Sequence, residues 1–253
     1  MYNIAANTFR EIVRNKFLYL ILFFAFVFIV FSISLWKLTI GDDNKIIVDF
    51  WLAMIEIFGI VGVLFVWSQL LFKEVEWKTI FLILSKPIKR YEFIIGKFLG
   101  FSGTILLIIL LQAALFLGVL LMKGIEVDYL IIWSLIFTFF KLEILLAIVF
   151  FLSTFMSNML TILVALMVYF LSHSFSLLLT MAERTQNNIV VYFTQGLQLL
   201  FPPLESLNIK DVIGSFSQFS INFFVFNTFY SIVYLAIILI FTVLIFNRKK
   251  FEA

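Results

Sequence analysis

The sequence predicts an all-α polytopic membrane protein with six transmembrane helices, and three observations carry that reading. Apolar residues make up 64% of the 253-residue chain and charged ones 13%, with a mean hydropathy of +1.15, so too few polar groups exist to cover a globule in water. Runs of about twenty apolar residues recur, each long enough to cross a ~30 Å hydrocarbon core as helix. The Leu, Ile and Phe blocks are continuous, which excludes the alternating pattern of a membrane barrel.

The elements follow in order. Within 2–16, Ala5, Ala6, Phe9, Ile12 and Val13 share one helical face and Asn3, Asn7, Arg10, Arg14 and Asn15 another. This spacing predicts an interfacial helix, anchored at lipid headgroups by Arg10, Arg14 and Lys16. The first span is expected at 17–36; it is long and has no A-x-A-like site before Lys37, so it reads as a retained anchor. Further spans are expected at 50–72, 98–122, 129–152, 159–180 and 223–246. The stretch 181–222 is too broken to cross a bilayer. Its apolar pieces 189–201, stopped by Pro202 and Pro203, and 209–219 predict short re-entrant or interfacial helices on the outer side. No loop is large enough for a soluble domain and no internal repeat is present, so 1–253 reads as a single transmembrane domain.

Basic residues set the orientation. Arg10, Arg14 and Lys16, six residues of the loop after the second span, and Arg248, Lys249 and Lys250 place twelve of the eighteen Lys and Arg on one side. Both termini are therefore expected in the cytoplasm and the protein in the cell (plasma) membrane, its partner the lipid bilayer.

The segment 73–97, KEVEWKTIFLILSKPIKRYEFIIGK, is the one long charged stretch between two membrane-length runs. Trp77, Ile80, Phe81, Ile83 and Leu84 recur at helical spacing and Pro87 ends the run, which predicts an amphipathic helix on the membrane face followed by a break. Such a helix, held by lipid on one face, presents Glu74, Glu76, Lys78 and Lys86 to a soluble partner on the other. Ser85, Lys86 and Pro87 would form an elbow into the third span.

Several chemistries are excluded. Cysteine is absent and His173 is the one histidine, which removes disulfides, thiolate sites and histidine-based metal centres. No G-x-x-x-x-G-K-[ST] motif occurs, so this chain carries no P-loop for ATP. Scattered carboxylates and one histidine make no acid/base constellation, so no catalytic residues and no resident cofactor or metal are assigned.

The order of an amphipathic N-terminal helix, two spans, the pattern E-x-E-x-x-T-I-x-x-x-L-S-K-P-I-x-R-x-E-F-x-x-G-K and four further spans resembles the permease subunits of ABC transporters of the type-2 exporter class. FPPLESLNIKD at 201–211 is similar to the proline-containing outer segment of the branch that includes the nitrous-oxide-reductase maturation permease. ANTFREIVRNK at 6–16 and NRKKFEA at 247–253 extend the likeness over essentially the whole chain. Trp77 and Lys78 depart from it, since such permeases often carry small residues before the threonine. The resemblance implies a type V exporter-like half-transporter. It would pair with a second copy or a paralogue, and with separate ABC ATP-binding subunits that hold ATP and Mg; nucleic acid is no partner. It also implies that 73–97 is the coupling loop, with Glu74, Glu76, Lys78, Thr79, Ser85, Lys86, Pro87 and Arg90 facing the ATPase subunit.

Three charged residues fall inside predicted spans: Glu56, Lys141 and Glu143. Each costs about 2.5–3.5 kcal/mol at the centre of a membrane helix, so each is expected to face protein or a wet cavity. Lys141 and Glu143 lie roughly 200° apart around a helix and cannot pair, whereas Glu56 can meet Lys141 across two helices. A structural ion pair, a snorkelling lysine and a role in the translocation path all fit these residues. Ser172, His173, Ser174 and Ser176 put a polar stripe on the fifth span, with His173 facing the path on the transport reading and serines bonding back to the helix on the plainer one. A substrate-binding membrane subunit or secondary transporter working without ATP is the alternative function.

Overall fold

The computed structural model describes residues 1–14, 43–76, 89–185, 187–202, 204–214 and 219–248, together with 23, 26, 27 and 30. Among these residues every regular element is a helix. Four are long and apolar enough to cross a membrane: Asn44–Phe72, Arg90–Lys123, Tyr129–Ser153 and Ile221–Arg248. The pair Asn158–His173 and Leu177–Arg184, bent by 61°, makes a fifth if taken as one span. The chain is thus a membrane-embedded helical protein with four or five spans among the described residues. The span expected at 17–36 lies outside them.

Helix α1 is Tyr2–Val13. Helix α2, Asp43–Val61, passes through a π-helical turn at Gly62–Trp67 into α3, Ser68–Glu76, and the junction residues Val61 and Ser68 keep helical backbone angles. Then come α4 (Arg90–Lys123), α5 (Tyr129–Ser153), α6 (Asn158–His173), α7 (Phe175–Arg184), α8 (Asn188–Leu200) and α9 (Ile221–Arg248). The α4–α5 hairpin is closed by local chemistry. Gly124, at φ 68°, ends α4 in the left-handed conformation, with its N–H and that of Ile125 bonded to Leu121 and Leu120 carbonyls. The Asp128 carboxylate then accepts from the Leu130 N–H at 3.1 Å and caps α5.

Helix α5 lies at the centre. Every residue from Lys141 to Phe150 is buried, so this helix is enclosed on all sides. Trp133 stacks on Phe224 of α9 with ring centroids 4.6 Å apart, and Phe98 and Phe101 of α4 meet Phe150 edge-on. At the opposite end from the hairpin, Arg90 Nη1 donates to the Asn247 carbonyl at 3.1 Å and Phe93 stacks on Phe246, which puts the start of α4 beside the end of α9. Ser68 donates to Asn158 Oδ1 at 2.6 Å, bringing the start of α3 to the same end.

Helix α1 turns its apolar face onto protein. Thr8 and Ile12 are buried against the first turns of α4, while Arg10 and Arg14 stay exposed on the far side. Glycines permit the approach: a Cβ at Gly100 would sit 2.6 Å from Thr8 Cβ and 2.8 Å from the Ala5 carbonyl oxygen, and one at Gly96 would sit 3.0 Å from Ile4 Cβ. Lys16 lies outside the described residues.

Three boundaries differ from the sequence reading. The coupling segment 73–97 loses both flanks to helices: 73–76 continues the second span, and α4 starts at Arg90 rather than near 98. Lys97 consequently lies within α4 and is buried, on the helical face it shares with Phe93 and Phe101. The fifth span is not a straight helix over 159–180. It breaks at Ser174 (φ −102°, ψ 0°), whose hydroxyl donates to the Phe170 carbonyl at 2.9 Å, a back-bond that competes with the helical ladder. In 181–222, a helix does occupy 188–200, but 209–219 holds only a 3-10 turn at Lys210–Val212 among its described residues. Leu204, Leu207, Ile209 and Ile213 are buried, so this segment is packed into the bundle and cannot spare residues for a helix of its own.

Replacing Gly100 by Ala forces α1 off α4, because one of the blocking atoms is backbone. The substitution is expected to cost about 1–3 kcal/mol. Gly118→Ala, where a Cβ meets nothing within 4 Å, should be neutral or stabilising by up to about 1 kcal/mol. Thermal melting of both variants in detergent checks the contrast.

Candidate functional site

Glu56 lies one turn below Leu52 on the buried face of α2, and its carboxylate gathers donors from three other segments. Lys141, twelve residues from either end of α5, donates from Nζ to Glu56 Oε1 at 2.9 Å. The Tyr169 hydroxyl of α6 donates to the same oxygen at 2.6 Å. Lys210, from the 3-10 turn, reaches down to Glu56 Oε2 and also donates to the Leu52 carbonyl at 3.1 Å. His173, one turn beyond Tyr169, holds Nε2 3.8 Å from Glu56 Oε1 and Nδ1 3.2 Å from the Tyr169 carbonyl. Its ring lies 4.5 Å from the Tyr169 ring, centre to centre.

Burial decides how strongly these groups act on one another. Lys141 is 1% exposed and Glu56 6%. At that depth charges interact far more strongly than in water, and an unpaired one is costly. Two ammonium groups face one carboxylate here, so the immediate cluster carries a net charge of +1 with His173 neutral. Asp211 acts electrostatically on Lys141, and Asp49 on the same outer end is offset by Lys45, but neither aspartate makes an ion pair within 4 Å among the described residues.

The sequence-predicted residues separate into groups. Glu56, Lys141 and His173 come together. Glu143 does not join them: two residues on from Lys141, it is turned toward α4, where the Ser102 hydroxyl bonds its carboxyl and Oε1 has no partner among the described residues. Ser172 is likewise buried with its hydroxyl unpartnered. Of the expected coupling residues, Glu74 and Glu76 lie in α3 and Arg90 opens α4. Lys78, Thr79, Ser85, Lys86 and Pro87 lie outside the described residues.

Tyr169 and Lys210 were not singled out by the sequence. Tyr169 sits in an apolar run, and its one signal is the i, i+4 spacing to His173. Lys210 reads as an outer-loop charge, although it is the lone basic residue in the proline-anchored stretch 201–219.

Comparison with protein-family models and with curated proteins finds no match. No group of three or more His, Cys, Asp or Glu side chains placed to hold a metal occurs among the described residues. The arrangement offers charge and hydrogen bonding: a carboxylate that accepts from three donors, beside a cavity of about 420 Å³ on which Glu56, Tyr169 and Lys210 open.

The charge count orders the effects of substitution. Glu56→Gln strands the buried Lys141 ammonium and the half-buried Lys210 and is expected to cost about 3–5 kcal/mol. Lys141→Met leaves Glu56 paired with Lys210 and bonded to Tyr169, and should cost clearly less. Thermal unfolding in detergent, followed by gel filtration, ranks the two; equal losses would show that the excess positive charge does not matter.

Proposed function

We propose that this chain is the membrane permease subunit of an ATP-driven ABC transporter of the type-2 exporter class, forming the translocation path with a second copy or paralogue and driven by separate ATP-binding subunits. The observation that carries the reading is the motif over 74–97 placed between the second and third spans. The helical membrane-embedded bundle fits it. So does the gathering of α1, the start of α4 and the end of α9 at one end of the bundle, opposite the α4–α5 hairpin and the 204–214 segment. On this reading that end faces the cytoplasm, with both termini and the coupling loop, and the Glu56 cluster lies near mid-depth, reached from the outer side by Lys210.

One observation favours the alternative, a membrane carrier or substrate-binding subunit working without ATP. Ionisable groups are concentrated mid-bundle, as such proteins need: Glu56, Lys141, Lys210 and His173 act as one cluster. Purification from native membranes decides between the two. Recovery of an ATPase subunit with the permease supports the first, and a permease that moves solute in vesicles without one supports the second.

Reversing charge at Glu74 and Glu76 together should lower recovery of the ATPase subunit or uncouple its hydrolysis from transport, with the membrane fold intact. Salt screens such charge effects on association, so the difference from wild type should be largest at low ionic strength and shrink as salt is raised. Asp42→Lys, expected on the opposite side, is the control. Wild-type assembly, ATPase stimulation and transport in the double variant would mean that these carboxylates are a solvated face and the coupling assignment is wrong.

A further inference from the structure

The cavity beside the Glu56 cluster has a polar end and an apolar body. Glu56, Lys210 and Tyr169 form the polar end, while Ile57, Ile60, Leu166 and Phe170 line the rest. Its volume of about 420 Å³ falls in the range of small-molecule sites. Ile57 and Phe170 are exposed on the outside of the bundle, so the cavity opens sideways on the apolar surface.

The donors at the polar end outnumber the acceptors. The Glu56 carboxylate already accepts from Lys141, Tyr169 and Lys210, whereas among the described residues Lys141 makes one hydrogen bond and Lys210 two, of the three each ammonium can donate. An anion entering the cavity and taking Lys210 from Glu56 would leave two neutral pairs, Glu56 with Lys141 and the ligand with Lys210. A cation would instead have to compete with two lysines for one carboxylate and raise the buried positive charge. Burying an uncompensated charge is costly, so the arrangement selects by sign.

We propose that this cavity binds an amphiphile with a single anionic headgroup, held at Lys210, and an apolar chain lying along Ile57, Ile60 and Phe170. The headgroup chemistry is shared by free fatty carboxylates and by acidic phospholipids of the surrounding leaflet. Naming this ligand as the cargo rests on the transport reading; binding itself does not, and is measured on the permease alone.

The test uses the full chain in phosphatidylcholine nanodiscs, with dodecanoate, dodecanol and dodecyltrimethylammonium as probes of one chain length and three charges. Dodecanoate should bind at least tenfold more tightly than the other two. Lys210→Gln should abolish that preference and Lys210→Arg should retain it. Ile60→Trp, which fills the apolar body and leaves the charges in place, should weaken all three probes, and covers the case in which Lys210→Gln misfolds. Phosphatidylglycerol added to the nanodisc assigns the source: competition with dodecanoate points to a leaflet lipid, and undiminished binding to a free amphiphile. Equal affinity for dodecanoate and dodecanol, a preference for the ammonium probe, or wild-type dodecanoate binding by a folded Lys210→Gln variant would overturn the proposal. Any of these results leaves the ATPase-recovery experiment untouched, so the two readings fail separately.

Discussion

The Glu56 carboxylate sets the depth at which four parts of the chain cross. Lys141, Tyr169 and Lys210 come from segments separated by up to 154 residues, and each finds its acceptor at this single group. In hydrocarbon no water stands in for a missing partner, so α2, α5, α6 and the 204–214 segment can slide or rotate only by leaving a buried polar group unsatisfied. A buried ion pair adds little net stability over well-packed apolar residues, because desolvation offsets most of the attraction. Its effect is on register. The apolar layers above and below permit many alignments, and the cluster permits few.

Around that fixed point, packing follows the rules of a membrane interior. Lipid tails are as apolar as the side chains they would replace, so helices associate through close contact more than through burial. Aromatic pairs supply it between α5 and α9, where Trp133, Phe137 and Phe224 interlock. Small residues supply it between α1 and α4, where Gly96 and Gly100 let backbone approach backbone. The N-terminal helix therefore packs closely on α4 and leaves Arg10 and Arg14 exposed on its far side.

What was legible in the sequence followed from periodicity and charge. The helical class came from continuous apolar runs, and the impossibility of a Lys141–Glu143 pair came from 3.6 residues per turn, leaving Glu56 as the partner Lys141 could reach. Tyr169 and Lys210 were hidden because their roles come from tertiary placement: a phenol in an apolar run and a lysine in a loop have common surface explanations. The early start of α4 was hidden for a related reason. Charged residues at 86–97 resemble a loop until Gly96 and Gly100 are seen to receive α1. Ser174 marked the bend in the fifth span, but a serine back-bond leaves many helices straight enough to span. Much of the expected coupling loop, 77–88, lies outside the described residues, so the amphipathic helix expected there stands as a reading of the spacing of Trp77, Ile80, Phe81, Ile83 and Leu84.

One continuous helix touches both the cluster and the start of that loop. From Glu56 to Glu76 the chain stays helical for twenty residues, roughly 30 Å, interrupted in register alone by the π turn at Gly62–Trp67. A π turn holds one residue more than an α turn, which rotates everything beyond it by roughly 100° relative to what precedes it. Val63 and Leu64 within it are fully buried and the turn packs on α5 and α6, so neighbours support its geometry beside its own ladder, in which the Ser68 N–H donates to the Val63 carbonyl. On the proposed reading this matters for how force would travel. A push at Glu74 and Glu76 reaches the π turn before it reaches Glu56. The less favourable ladder there can exchange register at lower cost than the three-donor clamp can break. Movement at the coupling end would therefore arrive as rotation of α3 below a fixed Glu56, and would open the cluster only when the donors themselves were drawn away, which is what an anion at Lys210 would do.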